Sequence, residues 1–217
     1  MVFSFVLYKH YQQKKEATYI LWWLIGVLTY GAGTFTESFN TIFGWTEINF
    51  RWWYITGALL GGAPLAQGSV YLLLSKKWAN RLSALLVLVV VLASVFVLLS
   101  PINYTLVEKE RMSGKVFIWQ WVRYISPFIN LYAVVFLVGG AIISAYKYFK
   151  KIGTGIRFWG NLLIAIGAIL PGIGGSFTRL GYVEVLYVTE FLGLSIIMIA
   201  YYMMKNEKTV SVHLNQQ

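Results

Sequence analysis

From 82 to 100 the chain runs nineteen residues without a charge, directly after Arg81. As a helix with a rise of ~1.5 Å per residue, that run crosses a hydrocarbon core of ~30 Å. Five further stretches share its character, near 18–39, 52–74, 121–146, 158–177 and 183–204. A helix closes its backbone hydrogen bonds within its own segment, which lipid demands. The pattern predicts an all-α fold: a polytopic transmembrane helical bundle of six clear spans, with 1–217 forming a single integral membrane domain.

The N-terminus is less direct. Val2, Phe3, Phe5, Val6 and Leu7 are apolar, and the run stops at Lys9. Eight residues of helix reach only ~12 Å. That is too short to span, and too short for a signal-peptide core with its cleavage site. Two readings are open. The segment lies in the membrane interface, giving six spans, or it is the end of a seventh span that begins upstream of Met1.

Charge sets the expected orientation. Lys9, Lys14 and Lys15 precede the first span, and Lys76, Lys77 and Arg81 join the second to the third. Lys147, Lys150, Lys151 and Arg157 join the fourth to the fifth, and Lys205 and Lys208 follow the sixth. The alternate connections hold Arg51, Arg179, and a set of Lys109, Arg111 and Lys115 partly balanced by Glu108 and Glu110. The positive-inside rule then places the C-terminus in the cytoplasm, and the plasma membrane is the expected location. The same bias accounts for the net charge of +10, so nucleic acid is not an expected partner. Only 12% of residues are charged, against about 25% in soluble domains. No room remains for a separate soluble domain. Most tryptophans fall near span ends, as an interfacial belt does.

Two spans share a pattern. Arg51-Trp52-Trp53 is followed by Pro64 and then Gly68-Ser69, while Arg157-Phe158-Trp159 is followed by Pro171 and then Gly175-Ser176. The two spans run in opposite directions, which suits the inverted repeat of many transporters. The competing explanation is chance in a glycine-rich alphabet. Pro64, Gly68, Pro171 and Gly175 are the candidate helix breaks, and 171–175 is the foremost. Gly57 and Gly61 form a Gly-x-x-x-Gly pattern suited to close helix approach.

Charges inside a bilayer are costly and often functional. Glu37, Arg123, Arg179, Glu184 and Glu190 all fall in the outer third by this orientation. Glu190 is the deepest carboxylate, ~10 Å into its span, and Tyr187 shares its helix face. The candidate ligand-binding or coupling site is Glu37, Arg123, Arg179, Tyr187 and Glu190, with Tyr54 and Thr34 beside it. Gln67, Asn130, Asn161 and Ser176 are deeper polar groups. The plainer alternative is that Glu37–Arg123 and Glu190–Arg179 are ion pairs that lock the bundle.

Missing residues narrow the chemistry. The chain has no Cys and no Asp, and its two histidines, His10 and His213, lie outside the spans. Paired haem histidines, His or Cys zinc sites, a Ser–His pair and an aspartyl dyad are therefore excluded. No lysine lies in 183–204 to hold retinal covalently. No cofactor or metal is expected. Asn103-Tyr104-Thr105 fits a glycosylation sequon, and 108–115 reads as a solvated charged turn.

These features point to a small transporter or ligand-binding membrane protein with an outward-facing polar site. Membrane lipid and a small or amphipathic ligand are its expected partners, and an oligomer is left open. Glu190 would be the coupling carboxylate. The alternative is a non-catalytic accessory or structural membrane protein. An enzyme using Glu37 and Glu190 as acid and base ranks last, because no nucleophile, metal or cofactor motif accompanies them.

Overall fold

The computed structural model describes residues 2–108, 111–179 and 182–214. Among these residues the architecture is all-helical, with no strands. Four helices are long and apolar enough to cross a membrane: Lys76–Leu99, Gln120–Lys151, Ile156–Phe177 and Glu184–Glu207. In the first of these only 17% of the most apolar window is buried. Leu85, Leu88, Val91, Leu92, Leu98 and Leu99 are instead exposed along it. Such a surface is an aggregation hazard in water and the ordinary surface of a helix in lipid.

Two of the six predicted spans fall outside this set for different reasons. Thr18–Phe43 is long enough, but its Trp, Tyr, Thr and Gly residues dilute the apolar content. The second predicted span is not one helix, as described below. Within the chain, contacts cluster into two compact units, 1–133 and 134–217. The boundary falls inside the apolar stretch Gln120–Lys151.

The first unit contains α1 (Val2–Gln13), α2 (Thr18–Phe43), α3 (Glu47–Trp53), a π-helical stretch (Tyr54–Leu60), α4 (Ala63–Leu73), α5 (Lys76–Leu99) and α6 (Ile125–Ala133). The apolar N-terminal segment is the twelve-residue α1, ~18 Å long. It buries Phe3, Ser4 and Leu7 and packs against α2. Helix α2 crosses the π-helical stretch at small residues, since a Cβ on Gly33 would lie 3.2 Å from Gly57 Cα. The glycine that permits this approach is Gly33; a Cβ on Gly57 would meet only the Trp53 ring, at 3.6 Å.

The connection after α5 folds back as a cap of short 3-10 turns. Met112, Val116, Phe117 and Val122 are buried. Phe117 sits 5.0 Å from the Phe50 ring and 4.9 Å from the Tyr54 ring. The expectation of a solvated turn over 108–115 is thus corrected: Glu108 and Lys115 are exposed, but Met112 anchors the segment inward. Lys109 and Glu110 lie outside the described residues. Arg51 ties the cap to α3. It donates to Glu47 Oε1 from Nε (2.9 Å) and Nη2 (2.6 Å), to Ser100 O (2.9 Å), and to Val97 O. Two carbonyls that the end of α5 leaves open are satisfied this way.

The second unit contains a π-helical stretch (Val134–Gly139), α7 (Gly140–Ile152), α8 (Ile156–Arg179) and α9 (Val183–Leu214). Helix α8 presents Gly160, Gly167 and Gly174, seven residues apart, to Met204, Gly193 and Leu186 of α9. At the centre the two backbones nearly touch. A Cβ on Gly193 would sit 2.5 Å from Gly167 O, and one on Gly167 2.6 Å from Gly193 O. Pro171 lacks the N–H that would bond Gly167 O. That carbonyl faces Gly193 instead, where a Cα–H group is a weak donor. Helix α8 runs on through Pro171 and Gly175, so 171–175 is not an unwound stretch. At the far end Arg157 Nε donates to Glu207 Oε2 at 2.9 Å.

Candidate ligand site at an interrupted helix

The interruption lies in the second predicted span, about halfway along 52–74. Gly61 N donates to Thr56 O at 3.2 Å, a bond five residues back that closes the π-helical stretch. Gly61 then turns to φ +38° and ψ −120°, a conformation that residues with a Cβ avoid. Helix α4 restarts at Ala63, and Pro64 falls in its first turn. There the missing N–H costs nothing. Gly68, expected as part of the break, lies inside α4, where a Cβ would strike the Trp23 ring.

Helix α6 supplies partners to the interruption. Asn130 Nδ2 donates to Ala58 O at 3.4 Å. Its Oδ1 and Gly57 O lie 3.4 Å and 3.0 Å from the position a Cβ on Gly61 would take. Asn130 is nevertheless exposed, so its amide is open beyond this bond. One turn further along α4, Gln67 is fully buried. Its Nε2 donates to Ala79 O at 3.1 Å, and its Oε1 accepts from the Tyr132 hydroxyl. Two backbone acceptors and an exposed amide thus flank Gly61, with the hydrogen-bonded Gln67–Tyr132 pair also in the first unit.

The predicted site residues are distributed as follows. Glu37 is buried on α2 and accepts from Trp53 Nε1 at 2.8 Å, just before the π-helical stretch. Arg123 donates to Gln120 Oε1 at 2.6 Å and flanks Gly114 together with Tyr54. Thr34 Oγ1 bonds back to Tyr30 O at 3.2 Å. Tyr187 and Glu190 belong to α9 in the second unit, both partly buried. The Arg179 side chain, and with it the Glu190–Arg179 pair, lies outside the described residues.

Comparison with protein-family models, curated proteins and solved structures found no match to this chain. The chemistry therefore rests on the arrangement itself. Carbonyls and a side-chain amide can bind a cation, an ammonium group or a hydroxyl by hydrogen bonds and ion–dipole attraction. The Gly57 and Ala58 carbonyls and Asn130 offer no nucleophile.

Sequence reasoning weighed Asn130 and Gln67 only as deeper polar groups, and read Gly61 as packing. A signal for the break was present: Gly61-Gly62 followed by Pro64 is a stop followed by a helix start. The clamp around Arg51 was missed as well. Tyr104 completes it by donating to Glu47 Oε2. That bond, and then Arg51, hold the Glu47 carboxyl below its ordinary range. The same carboxylate pushes the Tyr104 phenol up.

Proposed function

We propose that this is a six-span integral membrane protein that binds a small polar or amphipathic solute at its interrupted second span and carries it across the bilayer. An all-helical chain with four long apolar helices is compatible with a membrane protein. Thr18–Phe43 and the interrupted stretch 52–74 complete the six spans in this reading. The lysine and arginine asymmetry supports a cytoplasmic C-terminus.

One observation carries the proposal. Asn130 is exposed while lying nine residues into an apolar stretch, ~14 Å from its start. An amide open to hydrocarbon at that depth is unfavourable by several kcal/mol on the order of an unmade hydrogen bond. It belongs beside water, protein or a ligand. The adjacent helix is discontinuous there, which is how many transporters build sites near the midplane. Glu190 and Tyr187 enter as candidate coupling groups of the second unit, and Glu37, Arg123 and Arg179 as candidate binding groups.

The accessory reading has an observation of its own. Gln67 spends its amide on Ala79 and Tyr132, as a bundle-locking residue does. Native mass spectrometry of protein released from its own membranes separates the readings. Transport predicts a defined bound mass on the wild type that Asn130→Leu loses. Glu190→Gln should change its pH dependence. No specific mass on folded wild type and variants would favour the accessory reading.

A further inference from the structure

An open groove of about 550 Å³ lies between α4 and α5, lined by Tyr71, Asn80, Ser83, Val87, Leu88 and Val91. Tyr71 donates to Asn80 Oδ1 at 2.8 Å, so one end is polar. The α5 members recur at helical spacing and form one stripe. Lys76 and Lys77, both exposed, continue that stripe one turn earlier. The face therefore grades from two ammonium groups, through amide, phenol and hydroxyl, to aliphatic side chains.

Length and charge match one kind of molecule. From Asn80 to Val91 the helix rises ~16 Å, close to the ~15 Å that one leaflet contributes to a ~30 Å core. No acidic residue occurs in the chain between Glu47 and Glu108 to offset the lysines. At the same turn Arg81 lies 5.0 Å over the exposed Trp78 ring, an arrangement suited to the headgroup level.

We propose that this groove binds one anionic phospholipid. Lys76 and Lys77 hold its phosphodiester, Tyr71, Asn80 and Ser83 meet the glycerol ester region, and one acyl chain lies along Val87, Leu88 and Val91. The proposal rests on the membrane placement and is independent of transport.

The test uses the full-length protein in mild detergent, with palmitoyl-oleoyl phosphatidylglycerol or phosphatidylcholine added at equal concentration and retention read by native mass spectrometry. One phosphatidylglycerol should stay bound where phosphatidylcholine is lost. The double variant Lys76→Gln with Lys77→Gln should weaken retention about thirtyfold, and Lys76→Arg with Lys77→Arg should restore it. Val87→Trp, which fills the groove, should abolish retention. Leu85→Trp, exposed on another side of the same helix, should leave it intact and confirm folding. Equal retention of both lipids, or retention unmoved by the lysine pair and by Val87→Trp, marks ordinary annular lipid and overturns the site. A protein that needs no detergent would overturn the membrane placement itself.

Discussion

Gly61 sets where the second span breaks. A Cβ there would lie 3.0 Å from Gly57 O, and the backbone already occupies φ +38°. Gly61→Ala should therefore cost ~1–3 kcal/mol, read as a lower unfolding temperature in detergent. Gly57→Ala is the control, since its Cβ would meet only the Trp53 ring at an ordinary 3.6 Å. Equal losses would mean that Gly61 is not the hinge point. The second residue-scale prediction concerns Glu47. Its folded-state pKa lies below the ordinary value. Its contribution is therefore present above the unfolded-state pKa and lost as pH falls through the folded one. Tyr104 is raised above 10.0, so its share is present below that value and lost as pH rises through its folded pKa. Tyr104→Phe should flatten both limbs of a stability–pH curve, below about pH 4 and above about pH 10. A curve unchanged by the substitution would show that the Tyr104–Glu47 bond does not form.

At the scale of elements, the long helices were legible because uninterrupted apolar runs dictate them. The run 82–100 became Lys76–Leu99, extended by a polar first turn that periodicity in an apolar alphabet does not mark. The breaks were less legible. Pro64 and Pro171 look alike in sequence, yet one begins a helix and the other lies inside one. What separates them is context. Gly61-Gly62 precedes Pro64, whereas at Pro171 a partner helix with Gly193 receives the carbonyl the proline leaves behind. The cap was illegible because its anchors, Met112, Val116 and Phe117, are scattered among charged residues. The glycine contact makes the prediction for this scale. Gly193→Val would place a Cβ 2.5 Å from Gly167 O and should destabilise the second unit by ~1–3 kcal/mol through overpacking. Gly175→Ala has open space at its Cβ and should be neutral or stabilising, by up to ~1 kcal/mol. Thermal unfolding of the two variants side by side checks this. A neutral Gly193→Val would mean that α8 and α9 do not approach so closely.

For the whole molecule, the governing fact is where apolar side chains point. They face outward along α5 while polar groups gather at the interrupted stretch, the arrangement of a protein whose solvent is lipid. Of the residues the sequence singled out, Glu37 is buried, while Arg123 and Glu190 are half-buried. The sequence did not reveal that Glu37 meets Trp53, because only the fold brings α2 and the end of α3 together. The central claim is that the interrupted span opens to water. The chain contains no cysteine, so single cysteines report on it without background. Ala58→Cys, Gly62→Cys and Asn130→Cys should react with a membrane-impermeant, charged methanethiosulfonate in intact membranes, while Leu88→Cys and Leu92→Cys on the lipid-facing side of α5 stay unmodified. Labelling at the first three positions no faster than at the two lipid-facing ones would contradict the account and leave the interruption as a packing feature.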